Sequence, residues 1–363
     1  MGKDSKSVFF FIDQPSGGGA ESICRSLSDG LLTRGWKTKI FYLQNPQKTK
    51  LLGNEYCLRR PMEIISFLIN IRNLIKSNPE IILHAHLAKW LYLLPVVNFL
   101  LPNKMFYTEH NTHNRRREIF FFKFLDNFFY SKYNKIICIS EGAKKSLLSW
   151  TGSLLKNKIE IIYNGIDVSK FINFESDHSK NYKKDSKIKL ISVGSLTNQK
   201  GFDISINMIS KWKNRNWTYE IFGEGQSFFK LQKLIVDNGL EGNIFLKGFC
   251  KNVLQEIARS DIVLIPSRWE GFGLVALEAL LLKKLIVASD VDGMNEILGG
   301  LDTVESFKFS DRNYEMKFLK SLEKSVNKLY SFSHEVFEKS FLHAKKFDRQ
   351  IMVLKYEDLF RSA

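Results

Sequence analysis

The stretch Pro266 to Ala279 reads P-S-R-W-E-G-F-G-L-V-A-L-E-A and follows Ile262 to Ile265, a short apolar run that predicts a buried strand. Gly271 and Gly273 permit a tight turn and close backbone approach, and a helix starting near Gly273 presents unpaired N–H groups to an anion. The segment therefore reads as a phosphate cradle. Glu270 precedes the helix at the strand's carboxyl edge, and Glu278 falls in its second turn, so the two carboxylates could each grip a different polyhydroxyl group. Two glutamates at this spacing also occur in ordinary helices, with one facing solvent. Here Leu274 to Leu282 is so apolar that burial on most faces is predicted, and Glu278 within it needs a partner.

Outward from this segment the pattern is that of an α/β chain. Ser7 to Ile12, Thr38 to Leu43, Ile81 to His84, Lys135 to Ile139 and Ile159 to Ile162 read as strands between longer helical stretches, and Met105 to Glu109 as a further strand. The second half repeats the alternation with Lys189 to Val193, Thr218 to Phe222, Asn243 to Lys247, Ile262 to Ile265 and Leu285 to Ala288. Helices are predicted at Leu231 to Asn238, Val253 to Ala258 and Gly273 to Leu282. With 363 residues, more than one core is expected. The division reads as an N-terminal domain over 1–170, a polar linker over 171–187, a second domain over 188–340, and a C-terminal helix over 341–363 able to pack back on the first domain.

The charge is uneven. Of a net +16, residues 1–170 carry 25 Lys and Arg against 13 Asp and Glu. A basic half suggests an anionic partner such as a membrane surface, and compositional drift in a Lys-rich chain explains it equally. Cys24, Cys57, Cys138 and Cys250 lie far apart, which suggests neither a disulfide framework nor a zinc site and fits a cytoplasmic setting. Val8 to Ile12 is too short for a signal-peptide core, and the longest charge-free apolar stretch, Trp90 to Asn103, is broken by Pro95 and Pro102, so no spanning helix is predicted.

The Glu-x7-Glu string resembles the signature of the family 4 retaining glycosyltransferases. Other segments agree in order: Gly18-Gly19-Ala20-Glu21, Thr108-Glu109-His110, Ser140-Glu141, Asn164 to Asp167, Val193 to Leu196 followed by Lys200-Gly201, Gly223-Glu224-Gly225, and Gly293 with Glu296. The resemblance implies a GT-B fold, two Rossmann-like domains with parallel sheets facing a central cleft. It implies donor-sugar contacts from Glu270, ribose contacts from Glu278, and sugar and diphosphate contacts from the backbone of Phe272, Gly273, Leu274 and Val275. Lys200 corresponds to the lysine that neutralises the diphosphate, where it stabilises leaving-group charge; without the motif it reads as a solvated loop lysine. His110 matches the histidine facing the donor sugar.

One departure stands out. Many relatives carry arginine after the glycine at Gly194, where this chain has Ser195, which donates one hydrogen bond and no charge. Either Lys200 bears the diphosphate alone or another cation such as Arg268 reaches in. Gly17 to Gly19 follow the first strand, but with Ser22 the dinucleotide fingerprint is incomplete, which argues against an NAD enzyme. His84 and His86 alternate to one face and read as a polar strand terminus.

Arg115 to Lys135 runs from three arginines into an aromatic cluster. The Phe residues are expected to face the core, with Arg115, Arg116 and Arg117 left as acceptor-side candidates; the same ingredients could seat the domain on an anionic bilayer. The expectation is a retaining hexosyl- or N-acetylhexosaminyl-type transferase moving a sugar from a nucleoside diphosphate, UDP favoured, to a glycan or lipid-linked acceptor in surface polysaccharide assembly. No metal, no other cofactor and no nucleic acid are expected, and the site is cytoplasmic or at the inner face of the membrane. The alternative is a basic membrane- or nucleic-acid-binding module with a non-catalytic nucleotide cleft; a pyridoxal phosphate phosphorylase of similar architecture is a further one.

Overall fold

The computed structural model describes residues 6–15, 18–172, 174, 187–214, 216–331 and 333–362. Most of the linker read at 171–187, and Gly17, lie outside them. The contacts divide the chain into two units, residues 1–165 with 349–363, and residues 166–348.

The first unit is built on β1 (Ser7–Ile12), β2 (Lys37–Tyr42), β3 (Glu55–Cys57), β4 (Ile82–His86), β5 (Met105–Glu109), β6 (Lys135–Cys138) and β7 (Ile159–Ile161). All pairs are parallel, in the order β3-β2-β1-β4-β5-β6-β7. Such strands are covered on both faces and read as near-continuous apolar runs; Val8, Phe10, Phe11 and Ile12 of β1 have no exposed surface. The helix Arg349–Ser362 belongs to this unit. It lies so close to the helix Gly19–Thr33 that a Cβ on Gly30 would meet Val353 Cγ2 at 2.4 Å. Its Glu357 accepts from Arg34, Arg361 and Trp36, the last at 3.1 Å. These partners outweigh burial and draw its carboxyl down to about 2.

The second unit has β8 (Ile188–Val193), β9 (Trp217–Phe222), β10 (Ile244–Gly248), β11 (Ile262–Ile265), β12 (Leu285–Ser289) and β13 (Val304–Phe307), in the parallel order β10-β9-β8-β11-β12-β13. Its core joins Leu190, Trp217, Tyr219, Ile221, Leu264 and Val287 to Phe318 and Leu322 of the helix Tyr314–Ser331. In both units the first strand of the chain segment lies inside the sheet and the order reverses beside it, between β1 and β4 and between β8 and β11. α/β proteins bind ligands at the carboxyl ends of the strands flanking such a point.

The Phe-rich segment departs from expectation. In the helix Phe121–Ser131 the buried residues are Asp126 and Tyr130, whereas Phe121, Phe124 and Phe128, with Phe120 before the helix, are between 56% and 71% exposed. The polar side of this helix is the one that pays its way inward. Asp126 accepts from Tyr92 Oη at 2.5 Å, Arg116 Nε at 3.0 Å and Trp150 Nε1 at 2.8 Å, and this network fixes the helix with its phenylalanines outward.

Candidate functional site

The carboxyl ends of β8 and β11 are neighbours, which brings together loops about 70 residues apart in the chain. The turn Asn198–Lys200 follows β8, and Pro266 to Gly273 follows β11. They are stitched by Arg268 N to Gln199 O at 2.7 Å and by Gln199 Nε2 to Trp269 O at 3.1 Å. The join demands glycine at 201: with φ +66°, a Cβ there would sit 1.9 Å from Pro266 O.

Within this frame Lys200 Nζ donates to Glu270 Oε1 at 2.6 Å, and Ser267 Oγ donates to the same oxygen at 2.8 Å. Glu270 is buried, while the Lys200 side chain keeps about a fifth of its surface exposed. The lysine stem runs under Gly194, where a Cβ would lie 3.2 Å from its Cε. Ser195 beside it is exposed. Arg268 is committed elsewhere, donating from both terminal nitrogens to Asp203 at 2.8 and 2.9 Å and to Asn198 O at 2.8 Å. Burial acts against Asp203's charge, yet the Arg268 hydrogen bonds and charge hold its carboxyl below the ordinary range. Arg268 is thus engaged by Asp203 and Asn198, and the cation that meets Glu270 is Lys200.

The helix Leu274–Leu281 starts from Gly273 in the left-handed region at φ +87°, with no side-chain cap. The amides of Leu274 and Val275 in its first turn make no hydrogen bond among the described residues, and Phe272 is buried against the Phe347 ring at 5.6 Å. Glu278 has no side-chain hydrogen bond or ion pair among the described residues, and desolvation alone raises its carboxyl to about 7.

In the first unit, His110 directly follows β5 and His86 ends β4, paired in register with Thr108. His86 Nδ1 lies 2.8 Å from His110 Nε2, and His84 Nε2 lies 2.8 Å from Thr108 Oγ1. Burial lowers His110 to about 4 and His84 to about 3, so these rings are neutral near pH 7. Sequence reasoning singled out His110 and read His84 and His86 only as a strand terminus. The H-x-H spacing was the available signal, since alternation stacks both on one face. Gly18 caps the helix Gly19–Thr33 with extended backbone, and a Cβ there would sit 3.1 Å from Glu21 Oε2.

The three arginines separate. Arg116 bonds Asp126 and, at 3.0 Å, Tyr130 Oη, and Arg117 bonds Glu109 at 2.8 Å and Ser146 Oγ at 2.9 Å. Both are pinned by these internal contacts, and Arg115 is exposed. Arg117 also lines a polar cavity of about 280 Å³ with Thr112, Asn114, Ser146 and Trp150. Among the described residues no three His, Cys, Asp or Glu gather as metal ligands, and no helix is long and apolar enough to cross a membrane.

Comparison with known proteins agrees with this architecture. Residues 17–170 match the family model described as Glycosyltransferase Family 4, and residues 173–325 that for glycosyl transferases group 1. An uncharacterized glycosyltransferase of Methanocaldococcus jannaschii is 30% identical over 71% of this chain and 70% of its own length. An uncharacterized protein in the cps region of Klebsiella pneumoniae is 26% identical over 82% of each chain. Among solved structures, Anabaena Alr3699/HepE in complex with UDP and glucose superimposes with TM-score 0.82 at 16% identity, covering 99% of this chain and 100% of that one. WaaG, a glycosyltransferase involved in lipopolysaccharide biosynthesis, gives 0.72 at 15% identity over 98% and 100%. Two parallel-sheet α/β units, each with its loops at the strands' carboxyl edge, matched in turn by the two family models, make this chain a GT-B enzyme that belongs to the family 4, group 1 glycosyltransferases.

Proposed function

We propose that the chain transfers a hexosyl or N-acetylhexosaminyl unit from a nucleoside diphosphate, UDP favoured, to a glycan or lipid-linked acceptor in surface polysaccharide assembly, with retention at the anomeric carbon. The observation that carries this reading is the Lys200–Glu270 pair at the turn leading into the helix Leu274–Leu281, whose Leu274 and Val275 amides and Glu278 carboxyl have no hydrogen-bond partner among the described residues. A diphosphate entering there draws Lys200 Nζ and the amides to its oxygens, where positive charge stabilises the leaving group. Glu270, released from Lys200, accepts from donor-sugar hydroxyls, and Glu278 accepts from the ribose hydroxyls. Gly18 and Gly19 let the backbone approach the donor, and the resemblance assigns His110 to the donor sugar. The bond from the anomeric carbon to the β-phosphate oxygen breaks as the acceptor oxygen bonds on the same face, and the acceptor's proton passes to the departing phosphate. No metal or other cofactor is assigned to this step.

The relatives' company supports the setting, one being a cps-region protein and another an Escherichia coli O-antigen biosynthesis glycosyltransferase, WclY, 25% identical over 63% of this chain. Thermal shift and hydrolysis across UDP-, GDP- and ADP-sugars identify the donor. Lys200→Ala and Glu270→Ala should each cut turnover by roughly 100-fold or more with an unchanged circular dichroism spectrum; near-normal transfer by both removes the assignment.

For a lipid-linked acceptor we infer docking on an anionic bilayer. Exposed Phe121, Phe124 and Phe128 sit on a helix packed against Leu87–Val97, which in turn packs against Ile64–Lys76. Those neighbours add exposed Ile65, Ile69 and Val96, and exposed Arg115 and Lys132 flank the phenylalanines. Apolar side chains ringed by cations suit an interface of acyl chains and acidic headgroups. Flotation with phosphatidylglycerol vesicles should carry the protein, and Phe121→Ser with Phe124→Ser should release it. Equal recovery with and without vesicles at low salt overturns the docking and leaves the transferase reading untouched.

A further inference from the structure

His86 has no part in the reading above, yet it is the hydrogen-bond partner of His110. The two rings meet Nδ1 to Nε2 at 2.8 Å, with centroids 5.2 Å apart. His86 has no exposed surface and His110 is 8% exposed. Burial holds both below the ordinary 6.5, so each ring carries one proton near neutrality.

Between two neutral imidazoles one nitrogen donates and the other accepts, and that choice fixes both tautomers. If His110 donated from Nε2, the His86 proton would sit on its own Nε2. That atom is buried without a hydrogen-bond partner among the described residues, and the His86 ring packs on those of Phe10 and His84, with centroids 6.0 and 4.3 Å away. A stranded buried N–H is the rarer native feature, so the proton belongs on His86 Nδ1. His84 does not compete: its Nε2 is bonded to Thr108 Oγ1, which Tyr356 Oη meets at 3.1 Å, and its Nδ1 makes no hydrogen bond among the described residues. His110 Nε2 then accepts, and the proton of His110 resides on Nδ1, the ring's remaining polar atom.

We propose that His86 is a positioning residue: by donating from Nδ1 it holds His110 in the Nδ1–H tautomer, so that His110 offers a hydrogen-bond donor to an oxygen of the donor sugar or its phosphate. The last step rests on the donor-site reading of His110; the tautomer itself does not. Free imidazole side chains favour the Nε2–H form, so His110 should revert once His86 can no longer donate.

The test is the long-range proton–nitrogen correlation spectrum of the full chain labelled with nitrogen-15 histidine, with His110 assigned by its loss in His110→Gln. Wild type should show His110 protonated at Nδ1. His86→Phe, which keeps a ring without a donor, should move that proton to Nε2 and lower kcat about tenfold with KM little changed. His86→Asn, whose amide places a donor near the former Nδ1, should restore the tautomer and most of the turnover. Wild-type His110 protonated at Nε2 overturns the proposal with no variant needed, as does an unchanged tautomer in His86→Phe. A tautomer shift with unchanged transfer overturns the hydrogen bond to the donor alone.

Discussion

Glu109 in the first unit and Glu278 in the second are both desolvated carboxyls, and they shift in opposite directions. Burial works against the charge of each. Glu109 is nevertheless held below its ordinary value by Arg117 and Arg116, by Tyr130 Oη at 2.6 Å and by the Asn111 amide at 3.2 Å, whereas Glu278 meets none of these and rises to about 7. The difference separates architecture from readiness. In the first unit the charges at the strand edge close on one another and hold the Arg115 to Ser131 segment in place. In the second, Lys200 Nζ and Ser267 Oγ both donate to Glu270 Oε1 at the edge of the turn, and Glu278 has no side-chain hydrogen bond or ion pair among the described residues. A carboxylate held by charged partners reports on stability; a carboxyl without a partner in a helix's second turn points toward a ligand.

Breaking the closed side of this comparison should have the largest effect. Arg117→Ala strands buried Glu109 and should cost the first unit about 3–5 kcal/mol, read as a fall in its unfolding transition. Arg115→Ala, on an exposed side chain, should stay within about 0.5 kcal/mol. Equal effects would mean the three arginines do not divide as described.

Next comes pH. His110 folds with its value depressed from 6.5 to about 4, so its contribution is complete above 6.5 and lost as pH falls toward 4, on the order of 3 kcal/mol. Glu109, held low, weakens the same unit further on acidification as it protonates. Glu278 is raised, so its contribution is complete below 4.5 and lost as pH rises through about 7. Calorimetry between pH 5 and 7 should therefore show the first unit's transition rising and the second's falling; transitions moving together break the comparison.

The smallest effect sharpens it. Glu278→Gln removes the cost of ionising a carboxyl with no partner and should stabilise the second unit at pH 8 by roughly 1–3 kcal/mol, a few degrees, while weakening nucleotide binding. A loss of stability at pH 8 would mean the carboxylate has a protein partner.

The parallel strands were legible because burial on both faces makes them short apolar runs, and β1 and β11 stand where the pattern put them. The sheet edges were not: β3 and β13 are short, and Glu55-Tyr56-Cys57 and Val304-Glu305-Ser306-Phe307 carry too little apolar sequence to stand out. In the helix Phe121–Ser131 composition misled, because hydrophobicity says that a face prefers burial but not whether a competing polar network already occupies the interior. Asp126 with Arg116, Tyr92 and Trp150 does so here.

By itself the chain's order of residues determined the repeated strand and helix alternation, the glycine-lined turn before Leu274 and the identity of the chemistry-bearing side chains, since each is local and follows from periodicity or backbone freedom. Only the tertiary structure decided that Arg268 is spent on Asp203, that two of three arginines are internal, and that His86 stands behind His110. Those outcomes depend on distances between residues far apart in sequence, set by which strands lie side by side, and no local pattern records them.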